Sequence, residues 1–343
     1  MPTDFMAKAD AAREAGNLPH AIALYKQVVQ KEPRNAQAWW YLGLSYYDRD
    51  EFPGCVEAFN RVSQLDLKNG PAHVFAGLCE FRVKKYEDAL AHIVEGKRLG
   101  VPEKTELDRI AQYHYVLLLG KLGQFEAAAS ALVTLAKTTP DAPRLVEMAG
   151  INALRIPALP DELTDAQKEP VRLAGRAALA AWQQGISEAR KLADELLAKY
   201  PDWPNVHYFS GWLRLREHSD AAIAEFEKEL ARDPSHVQAY LQIANEYLKR
   251  GDSAKALSFA DRAADLAPGD FAARTLYGRV LMDQEKFPEA IRELSAAVQL
   301  VPTNPEAHLY LAKAYERSGQ TTEAAKHRKL FSELTKLRQD RNQ

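Results

Sequence analysis

The sequence predicts an all-α solenoid of about nine helix-turn-helix units, closed at the C-terminal end by a capping helix. Three observations predict it. Between residues 237 and 304 one pattern occurs twice, 34 residues apart. Tyr240, Ala244, Tyr247, Gly251, Ala256, Ala260 and Pro268 are answered by Arg274, Gly278, Leu281, Glu285, Ala290, Leu294 and Pro302. A fixed period with large, small, aromatic, small and proline residues in that order marks helical hairpins that each need a neighbour to bury their apolar face. Prolines also recur in one slot just inside the second helix, at Pro19, Pro53 and Pro288, where no helical hydrogen bond is lost. Finally, 46% hydrophobic and 27% charged residues suit a folded chain with a large solvated surface.

Taken in order, the units fall into an N-terminal block, a joint and a C-terminal block. The block 1–142 holds four repeats, at 2–35, 36–69, 70–103 and 109–142, with five extra residues at 104–108. The first helix of the fourth repeat is unusually apolar from Tyr113 to Leu119, and is placed from about Pro102-Glu103 onward. Gly123 is expected in the left-handed cap of that helix. After Pro140 the period fails, because the next closing proline is Pro201. Residues 143–155 still read as a first helix, but Pro157, Pro160 and Pro170 interrupt the stretch beyond it. Residues 143–169 are therefore a degenerate repeat, with Thr164 and Gln167 positioned to cap the next helix. Five regular repeats occupy 170–343, the last ending in a capping helix with Ala324, Leu330, Phe331, Leu334 and Leu337 toward the array.

In the second unit Trp39, Leu42, Gly43, Tyr46 and Phe59 stand at the spacing of a known family. The sequence resembles the tetratricopeptide repeat family over nearly its whole length, apart from the gap near 143–169. The resemblance implies a right-handed superhelix that works by binding other proteins, without catalysis, cofactor or metal. In such a stack the first helices line the concave face and the second helices the convex one.

The inner face of the first helices then carries Trp40, Leu44, Tyr47, Val74, Leu78 and Phe81 in the N-terminal block. In the C-terminal block it carries Tyr208, Trp212, Asn245, Lys249, Arg279 and Lys313, with Arg317 beside them. The aromatic half reads either as a pocket for apolar side chains of a partner peptide or as residues packed on one another. The ladder Asn245, Arg279, Lys313 reads either as a grip on backbone amides or a carboxylate, or as a solvated stripe paired with Asp283 and Glu316. Family members that clamp a chaperone's terminal carboxylate use a lysine, two asparagines, a lysine and an arginine. Here Asn245 matches one asparagine, whereas Leu241, Leu276, Glu306 and Tyr310 occupy the other positions, so that activity is not implied.

A net charge of 45 minus 47, or −2, supplies no basic field for nucleic acid or anionic lipid. Cys55 and Cys79 are too few for a disulfide framework or zinc site, and Cys55, aligned with Ala21 and Ala89, reads as a small buried residue. No run approaches the ~20 apolar residues of a membrane span, so membrane insertion is not expected. The chain reads as cytoplasmic as written, or periplasmic if a signal peptide has been removed. Phosphate loops, nucleophile elbows and metal-ligand spacings are absent from the sequence, which points away from an enzyme. The expected function is a scaffold or adaptor holding a partner peptide or helix in the concave groove. The alternative is an accessory subunit of an enzyme or secretion complex, bound through the convex face or the 157–169 joint. Partner identity and oligomeric state are not encoded legibly.

Overall fold

The computed structural model describes residues 4–183, 185–215 and 217–340. Among these residues the chain is helical throughout, with nineteen α-helices, one short 3-10 helix and no strand. By contacts it divides into two units, residues 1–192 and 193–343.

The first unit runs through α1 (Asp4–Glu14), α2 (Leu18–Lys31), α3 (Ala36–Tyr47), α4 (Phe52–Leu65), α5 (Gly70–Arg82), α6 (Tyr86–Leu99), α7 (Glu106–Lys121), α8 (Phe125–Thr138), α9 (Leu145–Ala153) and α10 (Asp165–Gln183). The division falls inside α11 (Ile186–Lys199). The second unit continues with α12 (Val206–Arg214), α13 (Ser219–Arg232), α14 (Val237–Lys249), α15 (Ser253–Leu266), α16 (Phe271–Asp283), α17 (Phe287–Leu300), α18 (Pro305–Arg317) and α19 (Thr321–Asp340).

Several hairpins begin with a side chain that satisfies an orphan helical N–H. Asn35 accepts from the Ala38 N–H and Asn69 from the Ala72 N–H, both at 2.9 Å, and Asp270 accepts from Ala273 at 2.8 Å. The paired helices close on a glycine opposite a large side chain. A Cβ on Gly43 would stand 2.8 Å from the Phe59 ring, and one on Gly278 would stand 2.6 Å from Leu294. The small positions of the repeat are small for this reason.

A second regularity lies at the position of the family's tryptophan. Trp39 Nε1 donates to the Pro33 carbonyl at 3.0 Å, and the Tyr240 hydroxyl donates to Pro234 at 3.3 Å. Arg274 Nε donates to Pro268 and His308 Nε2 to Pro302, both at 3.0 Å. Four different side chains thus close one bond, from a repeat's first turn back to the carbonyl of the proline that ended the repeat before. What repeats is a donor of sufficient reach. Ahead of the third repeat Leu67 replaces the closing proline, and buried His73 Nδ1 has no hydrogen-bond partner.

A tautomer is fixed in the last hairpin by the same bond. A carbonyl only accepts, so His308 Nε2 carries the proton and its Nδ1 accepts from His327 Nδ1–H at 2.9 Å. Burial, with His308 next, holds the His327 pKa below the ordinary imidazole value.

Two boundaries and one side chain differ from the sequence expectation. Helix α7 starts at Glu106, because the Thr105 hydroxyl caps it by accepting from the Asp108 N–H at 3.2 Å. Helix α10 starts at Asp165 and passes through Pro170, its first turn held by Gln167 Oε1 accepting from the Thr164 N–H at 2.9 Å. On α19 Ala324 is buried, but Leu337 is 54% exposed. Gly123 takes the expected left-handed conformation, with φ +70°.

The degenerate repeat resolves into a first helix with no second helix of its own. Residues 154–164, including the 3-10 turn Pro160–Glu162, stand where that helix would be, and α9 packs directly on α10. The segment is fastened down: Leu154 and Leu163 are buried, Lys121 pairs with Glu162 at 2.7 Å, and Arg144 with Asp161 at 2.5 Å.

Cys55 of α4 and Cys79 of α5 are both fully buried, as a small apolar reading of Cys55 requires, but they are joined in a disulfide with Cα atoms 6.0 Å apart. The bond staples the second repeat to the third. With a sequence separation of 24 residues, loop-closure entropy assigns it about 3 kcal/mol. Reductant, or Cys79→Ala, is expected to destabilise the first unit by that amount in urea unfolding. An unchanged unfolding curve in dithiothreitol would mean that the bond adds nothing.

Candidate functional site

In the second unit α14, α16 and α18 are successive first helices, each packed against the next. The 34-residue period places Asn245, Arg279 and Lys313 at one register, and Lys249, Asp283 and Arg317 one helical turn later. All of these except Asn245 line a cavity of about 520 Å³, with Leu248, Met282, Tyr310 and Glu316 completing its wall.

The charge balance of the cavity is set by which groups already have partners. Glu316 is taken by Arg328 of α19, across the hairpin. That pairing holds the Glu316 carboxyl below its usual range. Lys249 Nζ donates to Glu246 at 2.6 Å. Burial alone would raise the Glu246 carboxyl, but the bonds from Lys249 and Ser219 outweigh it and keep the carboxylate charged. Among the described residues Arg279, Lys313 and Arg317 form no ion pair. Their expected counterions are therefore not in place, since Glu316 is engaged elsewhere and Asp283 pairs with none of them.

Arg279 and Lys313 share one aromatic ring instead. The Arg279 guanidinium lies 4.7 Å and the Lys313 ammonium 5.5 Å from the centroid of Tyr310. A ring face holds a cation by its quadrupole without neutralising it. Half-buried Tyr310 thus holds two charges in place while leaving each available to an anion. At sequence level Tyr310 stood out only as a departure from the carboxylate clamp. The available signal was its spacing, three residues before Lys313 on one helix face.

Further along the unit Asn245 is half-buried and makes no side-chain hydrogen bond among the described residues, and Trp212 is 42% exposed. Tyr208 is packed against Phe226 and His236, with ring centroids at 5.6 and 4.8 Å, and is closed to a partner.

The N-terminal set behaves differently. Trp40 stands edge-on to Phe59 and Phe75 at 5.3 and 5.7 Å, and Tyr47 edge-on to Phe75 at 5.8 Å. Leu44 packs on the same cluster. Phe81 lies against His114 at 5.0 Å. Val74 and Leu78 are core residues, 0% and 2% exposed, in one cluster with Ile93, Ala111 and Leu118. The reason is the close approach of α5 and α6: a Cβ on Gly96 would meet Val74 Cγ2 at 2.7 Å. Val74 and Leu78 therefore offer nothing to a peptide, and the aromatic residues satisfy one another.

Comparison with known proteins agrees with this architecture. Residues 6–66 match the family described as tetratricopeptide repeat, and residues 278–319 match TPR repeat. The chain carries tetratricopeptide repeats. Residues 216–297 of this tetratricopeptide-repeat chain also match the family described as anaphase-promoting complex, cyclosome, subunit 3. Two Arabidopsis thaliana proteins are similar to part of the chain. The inactive TPR repeat-containing thioredoxin TTL3 is 31% identical over 98 residues, covering 29% of this chain and 14% of that protein. TPR repeat-containing thioredoxin TTL4 is 31% identical over 97 residues, covering 28% and 14%. The matched region thus spans about one-seventh of these relatives. Among solved structures, MamA from Desulfovibrio magneticus RS-1 is 21% identical, covering 51% of this chain and 97% of that one, with a TM-score of 0.45. A MamA double mutant is 22% identical, covering 49% and 96%, with a TM-score of 0.46.

Proposed function

We propose that the protein is a non-enzymatic scaffold that holds a segment of a partner protein in the groove of its second unit, over α14, α16 and α18. The observation that carries this reading is the set of cations without counterions, Arg279 on α16 with Lys313 and Arg317 on α18, which line one cavity and of which the first two share the Tyr310 ring. Side chains of this kind, fixed by an aromatic ring and facing a cavity, have a ready use in gripping an incoming anionic chain. The aromatic residues of the first unit serve stability in this reading. A buried disulfide at Cys55–Cys79 favours an oxidising compartment such as the periplasm over the cytoplasm.

Affinity capture with the full chain tests the proposal. Arg279→Glu combined with Lys313→Glu is expected to lose the partners that wild type retains. Lys336→Glu, an equal charge change per site on exposed α19 surface, is expected to retain them. Identical partner sets from wild type and the double variant would remove the groove from consideration.

A further inference from the structure

We propose that the third and last hairpins, α5–α6 and α18–α19, are acid-sensitive joints, each closed by a pair of histidines. Neither joint needs a partner in the groove in order to act.

In several hairpins a residue on the first helix meets the residue 19 positions later on the second, and the chemistry of that pair changes from repeat to repeat. Tyr240 meets Phe259, with ring centroids 6.2 Å apart, and Arg274 is bonded to Glu293. His207 and Glu225, 18 positions apart in a repeat one residue short at its turn, are bonded at 2.6 Å. In the third and last hairpins both members are histidine. The ring centroids of His73 and His92 are 5.4 Å apart, and those of His308 and His327 are 5.2 Å apart.

Two neutral imidazoles can pack and share a hydrogen bond, whereas two imidazolium rings repel and each is a donor at both nitrogens. In the last hairpin His308 Nδ1 accepts from His327 Nδ1–H, so a proton placed on His308 Nδ1 removes the acceptor. In the third, His73 Nδ1 is buried without a partner, so a protonated His73 leaves a charged N–H unsatisfied. Burial, with the neighbouring histidine next, lowers the pKa of both His73 and His327.

The remaining charges do not rescue either ring. His73 faces Glu95 and Arg98 of α6, which pair with each other at 2.5 Å, while Glu80 is held by His92 at 2.6 Å. His327 faces Glu323 and Lys326 of its own helix, paired at 3.6 Å, and stacks on Tyr315. No flanking helix adds a charge to either balance. A histidine whose pKa is lower in the closed hairpin takes its proton more readily once the hairpin opens. Closure therefore weakens as pH falls through the ordinary imidazole value of about 6.5. The other pairs respond differently: a proton on His207 strengthens its bond to Glu225, and Tyr240–Phe259 gains no charge.

Hydrogen exchange of the full chain at pH 7.5 and 5.5, read by mass spectrometry with labelling times scaled for the intrinsic rate, tests this. Opening of α5–α6 and of α18–α19 is expected to rise several-fold at pH 5.5, toward the ceiling of about tenfold that one imidazole sets a unit below its ordinary value. Opening of α14–α15 and α16–α17 is expected to stay constant. His73→Gln is expected to abolish the acid response of α5–α6 alone, and His327→Gln that of α18–α19 alone. Should His73→Gln loosen its hairpin at both pH values, His73→Tyr combined with His92→Phe installs the non-titrating pair of α14–α15 and is expected to abolish the response instead. No acid response in the two hairpins, one spread evenly over all of them, or one that survives these substitutions overturns the proposal.

Discussion

Gly150→Ala is expected to destabilise the first unit by roughly 3 kcal/mol or more, the upper range for overpacking. A Cβ at Gly150 of α9 would stand 1.8 Å from the Val171 carbonyl oxygen of α10, and one at Gly175 would stand 1.9 Å from the Val146 carbonyl oxygen. Both obstacles are backbone, so no side chain can rotate away. The two helices would have to separate along their whole contact, and close-packed interiors have no slack to absorb that. Gly120→Ala on α7 is the control, because its Cβ would meet Ile151 Cγ2 at an ordinary 3.7 Å. Helix propensity there favours alanine by up to about 1 kcal/mol. Urea unfolding of the full chain, followed by circular dichroism, should show the first transition moving to much lower urea for Gly150→Ala alone. Equal midpoints for the two variants would mean that α9 and α10 are not in direct contact.

The contrast between those two glycines shows which parts of this fold a sequence exposes. A period of 34 residues is legible because each hairpin meets the same neighbour in the same way, so one packing solution is written repeatedly. Gly43 and Gly278 could be placed opposite Phe59 and Leu294 by counting. Gly150 and Gly175 lie where the period breaks, and their meeting depends on a missing helix that leaves α9 to pack on α10. The Cys55–Cys79 bond was equally hidden, because Cys55 sits at a repeat position where any small residue fits. The proline-carbonyl bonds escaped for another reason: Trp39, Tyr240, Arg274 and His308 share a hydrogen-bond donor but no residue class. In the groove, charge and register were readable from Arg279 and Lys313. The engagement of Glu316 by Arg328 and the sharing of Tyr310 required three dimensions.

Phe59→Ala is expected to cost about 3–5 kcal/mol and to divide the unfolding of the first unit into two steps. The ring is fully buried, lies against Gly43 of its own hairpin and stacks on Phe75 of the next at 5.0 Å, with Trp40 edge-on at 5.3 Å. Removing it therefore empties the contact between the second and third repeats while weakening the hairpin itself. In a stack whose cohesion is the sum of nearest-neighbour interfaces, a lost interface uncouples the repeats on either side. The disulfide still tethers them, so reductant should enlarge the effect of Phe59→Ala. Phe59→Leu should cost less, about 1–2 kcal/mol. Leucine already serves at the equivalent place as Leu294, against Gly278. Unfolding read through the emission of the five tryptophans includes Trp40, whose ring loses the Phe59 edge. A Phe59→Ala chain that unfolds in one step, within about 1 kcal/mol of wild type, would show that the repeats do not depend on this ring for their coupling.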